Sequence, residues 1–397
     1  MPNERHATLL LIASWVLCIP GCTEPARDAP LPSPTLPVAT TVAAKLVGGD
    51  WPLFRGDAAC QGVASSELPE KPQLLWKVNP GSSPFDATAI IVDQTVYVGD
   101  GEAFYALALA DGKPRWSVPI DQGFMASAAV RDGRIYVGDA AGVFHCLRAQ
   151  DGHELWRYIT AAKINSSANI FEDSVLFGSQ DGSLYRLRSA DGKLIWKYTI
   201  KADGGIQSSP SLSGAQVLFA GCDGSLHVVN AETGKHLRSI ELRDPTLASA
   251  AILGNHAYFG TEGGNFLAID WQLPKLLWTH RNPRSDLAYR SSAAITKDRV
   301  VFGGRNKTVE GLDPKDGKPV WSFMTGGAVD SSPVVAGDRV YFGSADGRIY
   351  GLSLDTGRLA WKHDTGGGFT AAPAIAGGRL VIGNENGTVY CFGAVVK

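Results

Sequence analysis

The stretch SADGRIYGLSLDTGRLAW, residues 344–361, decides the fold. Asp346-Gly347 and Asp355-Thr356-Gly357 put residues that tolerate positive φ at the centres of two tight turns. Residues 348–354 alternate between them, and 359–363 follow the second turn. Alternation has the period of a pleated strand, so both runs are predicted as strands. A related phrase, SQDGSLYRLRSADGKLIW, stands at 179–196. Upstream of residue 344, runs 331–335 and 339–343 complete a unit of four short strands.

The unit recurs. A Gly closes an aromatic or aliphatic run at Gly99, Gly138, Gly178, Gly260, Gly303, Gly343 and Gly383, and Ala220 fills the remaining slot. The eight copies are spaced by 39 to 43 residues, the period of a propeller blade. The expected fold is all-β: an eight-bladed propeller of four-stranded antiparallel blades. Trp116, Trp156, Trp196, Trp278, Trp321 and Trp361 mark the outer strand of six units, with Arg238 in a seventh slot. Trp76 stands ahead of every complete unit, and the last unit stops at residue 397 without a fourth strand. The strand around Trp76 is therefore expected to close the ring as the outer strand of the last blade, which removes two exposed edges. Each Trp reads as a blade-docking residue, since one buried aromatic of this size covers roughly 150–250 Å².

Differences among the copies point to a site. Small residues open each inner strand, as in 166–168, 208–210, 291–293 and 331–333. Thirteen residues ahead of the repeat Gly stand Asp86, Met125, Asn165, Gln207, Leu247, Arg290, Asp330 and Thr370, a varied and mostly polar ring. It is expected to encircle one channel mouth. Phe85, Phe124, Ile164, Ile206, Tyr289, Val329 and Phe369 precede members of that ring. Phe85, Phe124 and Phe369 come from successive blades, so the expected binding mouth has an aromatic side and an Arg290/Asp330 charged side. Aromatic residues and Arg dominate interface energetics.

The N-terminus is read apart from the fold. Residues 1–21 carry an apolar run too short to span a bilayer and are expected to be a signal peptide. Ile19-Pro20-Gly21-Cys22 resembles a bacterial lipobox, with Cys22 the lipidated residue; a plain secretory signal is the alternative. Residues 22–48 are Pro-rich and read as a semi-rigid tether, leaving 49–397 for the propeller. A net charge of -2 gives no case for nucleic-acid binding. Cys60, Cys146, Cys222 and Cys391 form no C-x-x-C pair, and their spacing identifies no disulfide. Motifs of zinc proteases, α/β-hydrolases and P-loop enzymes are missing from the sequence. The seven histidines after residue 100 are read as lying at scattered phases, as surface or strand residues and not metal ligands.

ADGKPRW at 110–116, ADGKLIW at 190–196 and DTGRLAW at 355–361 resemble the PQQ-type eight-bladed propeller repeat, over about residues 51–395. DWPLFRGDAACQG, from residue 50, is similar to a W-P-x-[WF]-R-G stretch that precedes many such propellers. The resemblance implies one of two functional groups. BamB-like lipoproteins share the lipobox and tether and act as scaffolds in outer-membrane protein assembly. Quinoprotein dehydrogenases bind PQQ and Ca²⁺ in the channel, with longer chains and an adjacent Cys pair that this sequence lacks. The expectation is a non-enzymatic, cofactor-free scaffold for a protein or peptide partner. It is a monomer within its complex, touches the membrane only through its lipid, and sits at the periplasmic side of the outer membrane. A PQQ-binding enzyme is the alternative, and a carbohydrate-binding or sensory module a third reading.

Overall fold

Eight four-stranded antiparallel sheets succeed one another around a ring, in a computed structural model that describes residues 49–120, 122–200 and 205–395. Cys22, the leader and the tether lie outside those residues. In the unit that contains residue 344 the strands are Val334–Ala336, Arg339–Ser344, Arg348–Ser353 and Leu359–Asp364, innermost to outermost. The innermost strand starts at Val334, three residues later than the alternation suggests. Pro333 has no N–H for the ladder, and the Ser331 hydroxyl is occupied in accepting the Gly343 N–H at 3.0 Å. Neighbouring inner strands touch around the circle, including Ile90–Val92 with Ala374–Ala376 across the closure.

Gln73–Val78 pairs with Val389–Gly393, so the strand around Trp76 completes the eighth blade. Each outer strand carries a register shift beside the tryptophan slot, and such a bulge re-aims one side chain. The side chain re-aimed is the docking residue. The indole N–H donates to a turn carbonyl of the next blade: Trp76 to Leu109 at 2.9 Å, Trp116 to Ala149 at 3.0 Å, Trp156 to Ser189 at 3.0 Å. Trp196 reaches Ala231, Trp278 reaches Pro314 and Trp321 reaches Leu354 in the same manner. The ring lies on the turn glycine of that blade. A Cβ on Gly112, at φ +74, would sit 2.7 Å from the Trp76 ring. Arg238 reproduces the bond with another group, its guanidinium donating to the Trp271 carbonyl at 3.1 Å. Trp361 faces the closing blade, edge-on to Phe392 at 5.3 Å.

The segment that begins at Gly49 runs across one end of the channel and binds the inner strands of seven blades and the first turn of the eighth. Trp51 exchanges backbone bonds with Ile91 of the first blade, and the Pro52 carbonyl accepts from Val130 of the second. Ala58 accepts from the Asn169 amide and from the Leu212 N–H, serving blades three and four. Ala59, Gln61 and Gly62 accept from Ile252, Ile295 and Val335 in blades five to seven. The Ser66 hydroxyl meets the Gly378 N–H of the eighth at 3.5 Å. Arg55, 1% exposed, is the buried centre of this plug. Its guanidinium donates to the carbonyls of Ser332, Ala293 and Pro333. Burial lowers its pKa to about 10. Gly62 has no Cβ because one would lie on that guanidinium, 1.9 Å away.

Candidate functional site at the open channel mouth

With one end plugged, the described residues leave the channel open at the face carrying the ring of variable residues. A depression of about 170 Å³ there is lined by Asp86, Met125, Asn165, Gln207, Leu247, Arg290 and Thr370, with Phe54 of the plug at its floor. Asp330 stands at the same repeat position, beside the lining and paired with Arg305 at 2.7 Å. The structure thus brings the predicted polar ring together.

It does not bring the aromatic side. Phe85, Phe124, Tyr289 and Phe369 are 0%, 4%, 1% and 1% exposed and offer no surface at the mouth. This corrects the expected aromatic binding face. The physical reason is the repeat Gly. A Cβ on Gly99 would lie 2.6 Å from Phe124, and one on Gly343 would lie 2.4 Å from Phe369. These rings fill the hollow that each repeat Gly leaves in the preceding blade. Where Ala220 replaces Gly, the corresponding residue is Thr246, shorter than any of the aromatics.

Below the rim lies a second ring, two residues further along each inner strand. Thr88 N–H donates to the Ser127 hydroxyl at 2.9 Å, Ser127 to Ser167 at 3.0 Å, and Ser167 to Ser209 at 3.0 Å. Ser209 donates to Ser249 at 2.8 Å, Ser249 to Ser292 at 3.0 Å, and Ser292 to Ser332 at 2.9 Å. Ala372 N–H returns to Thr88 at 3.2 Å. This belt of blade-to-blade bonds is open at one link, because Ala372 has no hydroxyl for Ser332. Sequence reading saw these residues only as small. The signal was available: a Ser or Thr stands eleven residues ahead of the repeat residue in seven of eight copies.

The charges of the mouth are committed in pairs. Arg290 forms a bidentate pair with Glu262 at 2.7–3.1 Å, and that contact raises its pKa. Arg305 holds Asp330 in the same fork geometry. Asp86 accepts the Thr370 hydroxyl at 2.8 Å. Asn165 Oδ1 is buried without a hydrogen-bond partner. PQQ with Ca²⁺ requires converging carboxylates and room for a drug-sized ligand, commonly about 300–1,000 Å³. The paired carboxylates and the 170 Å³ depression do not fit that group.

Away from the mouth the histidines are less scattered than expected. His145 and His227 share one repeat position and both contact a turn aspartate, Asp139 at 3.2 Å and Asp223 at 2.8 Å. Tyr105, Tyr185 and Tyr350 occupy that position in other blades and contact Asp100, Asp181 and Asp346. His280 is buried against Glu310 at 2.9 Å. Burial alone would raise the Glu310 pKa, but bonds from His280, Asn282 and Thr308 hold it below its usual value. The His145, His227 and tyrosine contacts pin single blades, whereas His280–Glu310 ties the outer strand of the fifth blade to the sixth. Among the described residues no group of three or more His, Cys, Asp or Glu is arranged to hold a metal ion. The four cysteines in the described residues are free thiols.

A family described as outer membrane protein assembly factor BamB matches residues 68–209 and 201–394. No curated protein matches the sequence. Among solved structures, BamB from Moraxella catarrhalis is similar at 16% identity and a TM-score of 0.70, covering 81% of this chain and 100% of that one. The computationally designed Ika8 protein is similar at 18% identity and a TM-score of 0.70, again over 81% and 100%. A quinohemoprotein alcohol dehydrogenase from Comamonas testosteroni is similar at 15% identity and a TM-score of 0.74, over 88% of this chain and 81% of that one. At these identities the likeness to each solved structure is one of fold.

Proposed function

This chain belongs to the family of outer membrane protein assembly factor BamB, and from that premise we propose that it is a non-catalytic scaffold of a bacterial envelope. Cys22 holds it at a membrane, with the periplasmic side of the outer membrane as its place. Its partner is a protein or peptide. The observation that carries this reading is the outer edge of the fifth blade. Lys275–Arg281 is the one seven-residue outer strand among the described residues, and the exposed Leu273, Leu276 and Leu277 crowd its start. Leu273 is 73% exposed. An unpaired strand edge offers N–H and C=O groups to an added strand, and flanking apolar side chains supply burial. Fully covering one Leu contributes about 1.5–3 kcal/mol, offset in part by the ordering of the partner. The adjoining seam is the one with Arg238 in the tryptophan slot, so this sector departs from the repeat twice.

A photo-crosslinking residue at position 276, set against one at 359, tests the reading. Leu359 holds the same repeat position in blade seven and is similarly exposed. The expected result is a discrete envelope-protein adduct from position 276 alone. Equal adducts, or none at 276, would overturn it. The paired charges of the mouth support a binder over a quinone enzyme. Dye-linked alcohol oxidation after addition of PQQ and Ca²⁺ would overturn that part.

A further inference from the structure

We propose that the channel mouth binds one small, neutral, polyhydroxylated ligand of monosaccharide size, seated above Phe54 within the belt of hydroxyls. The proposal is independent of the edge on blade five.

The chemistry of the wall is unusual. Thr88, Ser127, Ser167, Ser209, Ser249, Ser292 and Ser332 are 3–7% exposed, and all line the depression. Each hydroxyl uses one lone pair to accept an N–H from a neighbouring blade. That leaves its hydrogen and its second lone pair. Among the described residues none of the seven donates to a protein acceptor. Accepting an N–H also polarises a hydroxyl and makes it a better donor. The wall therefore presents groups that both donate and accept, converging on one axis. A ligand hydroxyl can exchange bonds with the belt, donating to a free lone pair and accepting a hydroxyl hydrogen.

Charge selects against ions. Arg290 and Asp330 are each satisfied by an opposite charge. The remaining charged residue of the lining is Asp86, which repels an anion and is too few ligands for a cation. Size selects against larger molecules, since 170 Å³ lies below the range of drug-sized ligands. Phe54 adds an apolar surface at the floor, which water alone leaves uncovered. A pyranose carries C–H groups on its faces and hydroxyls around its edge, and so matches both.

Saturation-transfer NMR and calorimetry on the purified full-length protein with glucose, N-acetylglucosamine and glycerol test the proposal. Sodium sulfate and sodium acetate serve as ionic controls. The expected result is saturable binding of at least one sugar in the millimolar range, as suits a dozen-atom polar ligand, with no response to the salts. Phe54→Ala should weaken it by about tenfold or more. Because that change touches the plug, Leu247→Trp is the second variant: it places a bulky ring at the half-exposed rim, and it should also abolish binding while thermal unfolding stays unchanged. No saturable response up to about 100 mM of any of the three polyols, or full binding by folded Leu247→Trp, would overturn the proposal. Crosslinking from position 276 should be indifferent to Leu247→Trp, so failure here is separable from failure of the scaffold reading.

Discussion

The open link in the hydroxyl belt can be closed by one atom. Ala372→Ser places a hydroxyl at the position that Thr88 and six serines occupy in the other blades. Ala372 is 3% exposed, and its own N–H already bonds to Thr88. The backbone there holds the geometry its neighbours use, with donor–acceptor distances of 2.8–3.0 Å along the intact links from Thr88 to Ser332. A net buried hydrogen bond contributes about 0.5–1.5 kcal/mol. The reverse change, Ser209→Ala, leaves the Ser167 N–H without its acceptor and costs about 1–3 kcal/mol. Scaled to a domain of about 350 residues, 1 kcal/mol shifts Tm by only about 1.5 °C. Guanidinium unfolding at matched slope is therefore the better assay. The expected order of midpoints is Ala372→Ser, then wild type, then Ser209→Ala. If Ala372→Ser unfolds at a lower midpoint than wild type and Ser209→Ala leaves it unmoved, the belt contributes nothing and the reasoning fails.

Arg55→Leu removes three donors from buried carbonyls and should cost about 3–5 kcal/mol, read as a lowered unfolding midpoint. Deletion of residues 49–78 strips the outer strand from the eighth blade and the plug from the channel, and size-exclusion chromatography should show self-association through the bared 389–393 edge. The buried thiols of Cys60, Cys146 and Cys391 are each pushed up to about 12, chiefly by burial. A raised folded pKa stabilises fully below the unfolded value near pH 9 and is lost as pH rises through 12. Each thiol then contributes a slope of about 1.4 kcal/mol per pH unit. Cys146→Ala should flatten the fall in unfolding free energy between pH 9 and 12; an unchanged slope would count against the burial argument.

Blade number and ring closure were legible because both follow from phase. Trp76 stands one outer strand ahead of its unit, and no other slot in a closed ring accepts it. The polar ring was legible for the same reason, since Asp86 and its equivalents hold a fixed distance from the repeat residue. The aromatic mouth was misread because adjacent residues on an extended lead-in face opposite sides. Asp86 turns to the axis and Phe85 turns into the seam. Only the hollow at Gly383, where a Cβ would lie 2.5 Å from Phe85, says which. The plug was hidden for a different reason. Residues 50–62 carry no periodicity, and their bonds are mostly backbone to backbone, which side-chain patterns do not encode. Arg55 read as part of a familiar motif; its burial follows from three-dimensional closure.

Pairing the first strand with the last has a consequence for how the chain reaches its native state. Trp76 leaves the ribosome, and crosses any membrane N-terminus first, while its partner Cys391 is still about 300 residues away. Closing a loop of that size costs about 3–4 kcal/mol more entropy than closing a blade hairpin. Seven blades can form as local antiparallel sheets as they emerge, each rewarded by its own hairpins. The eighth blade waits for the C-terminus, and until then the strand around Trp76 has no strand to pair with. The last blade is thus the one whose completion depends on contacts farthest apart in the chain, and its outer strand can join only once residues 389–393 are made.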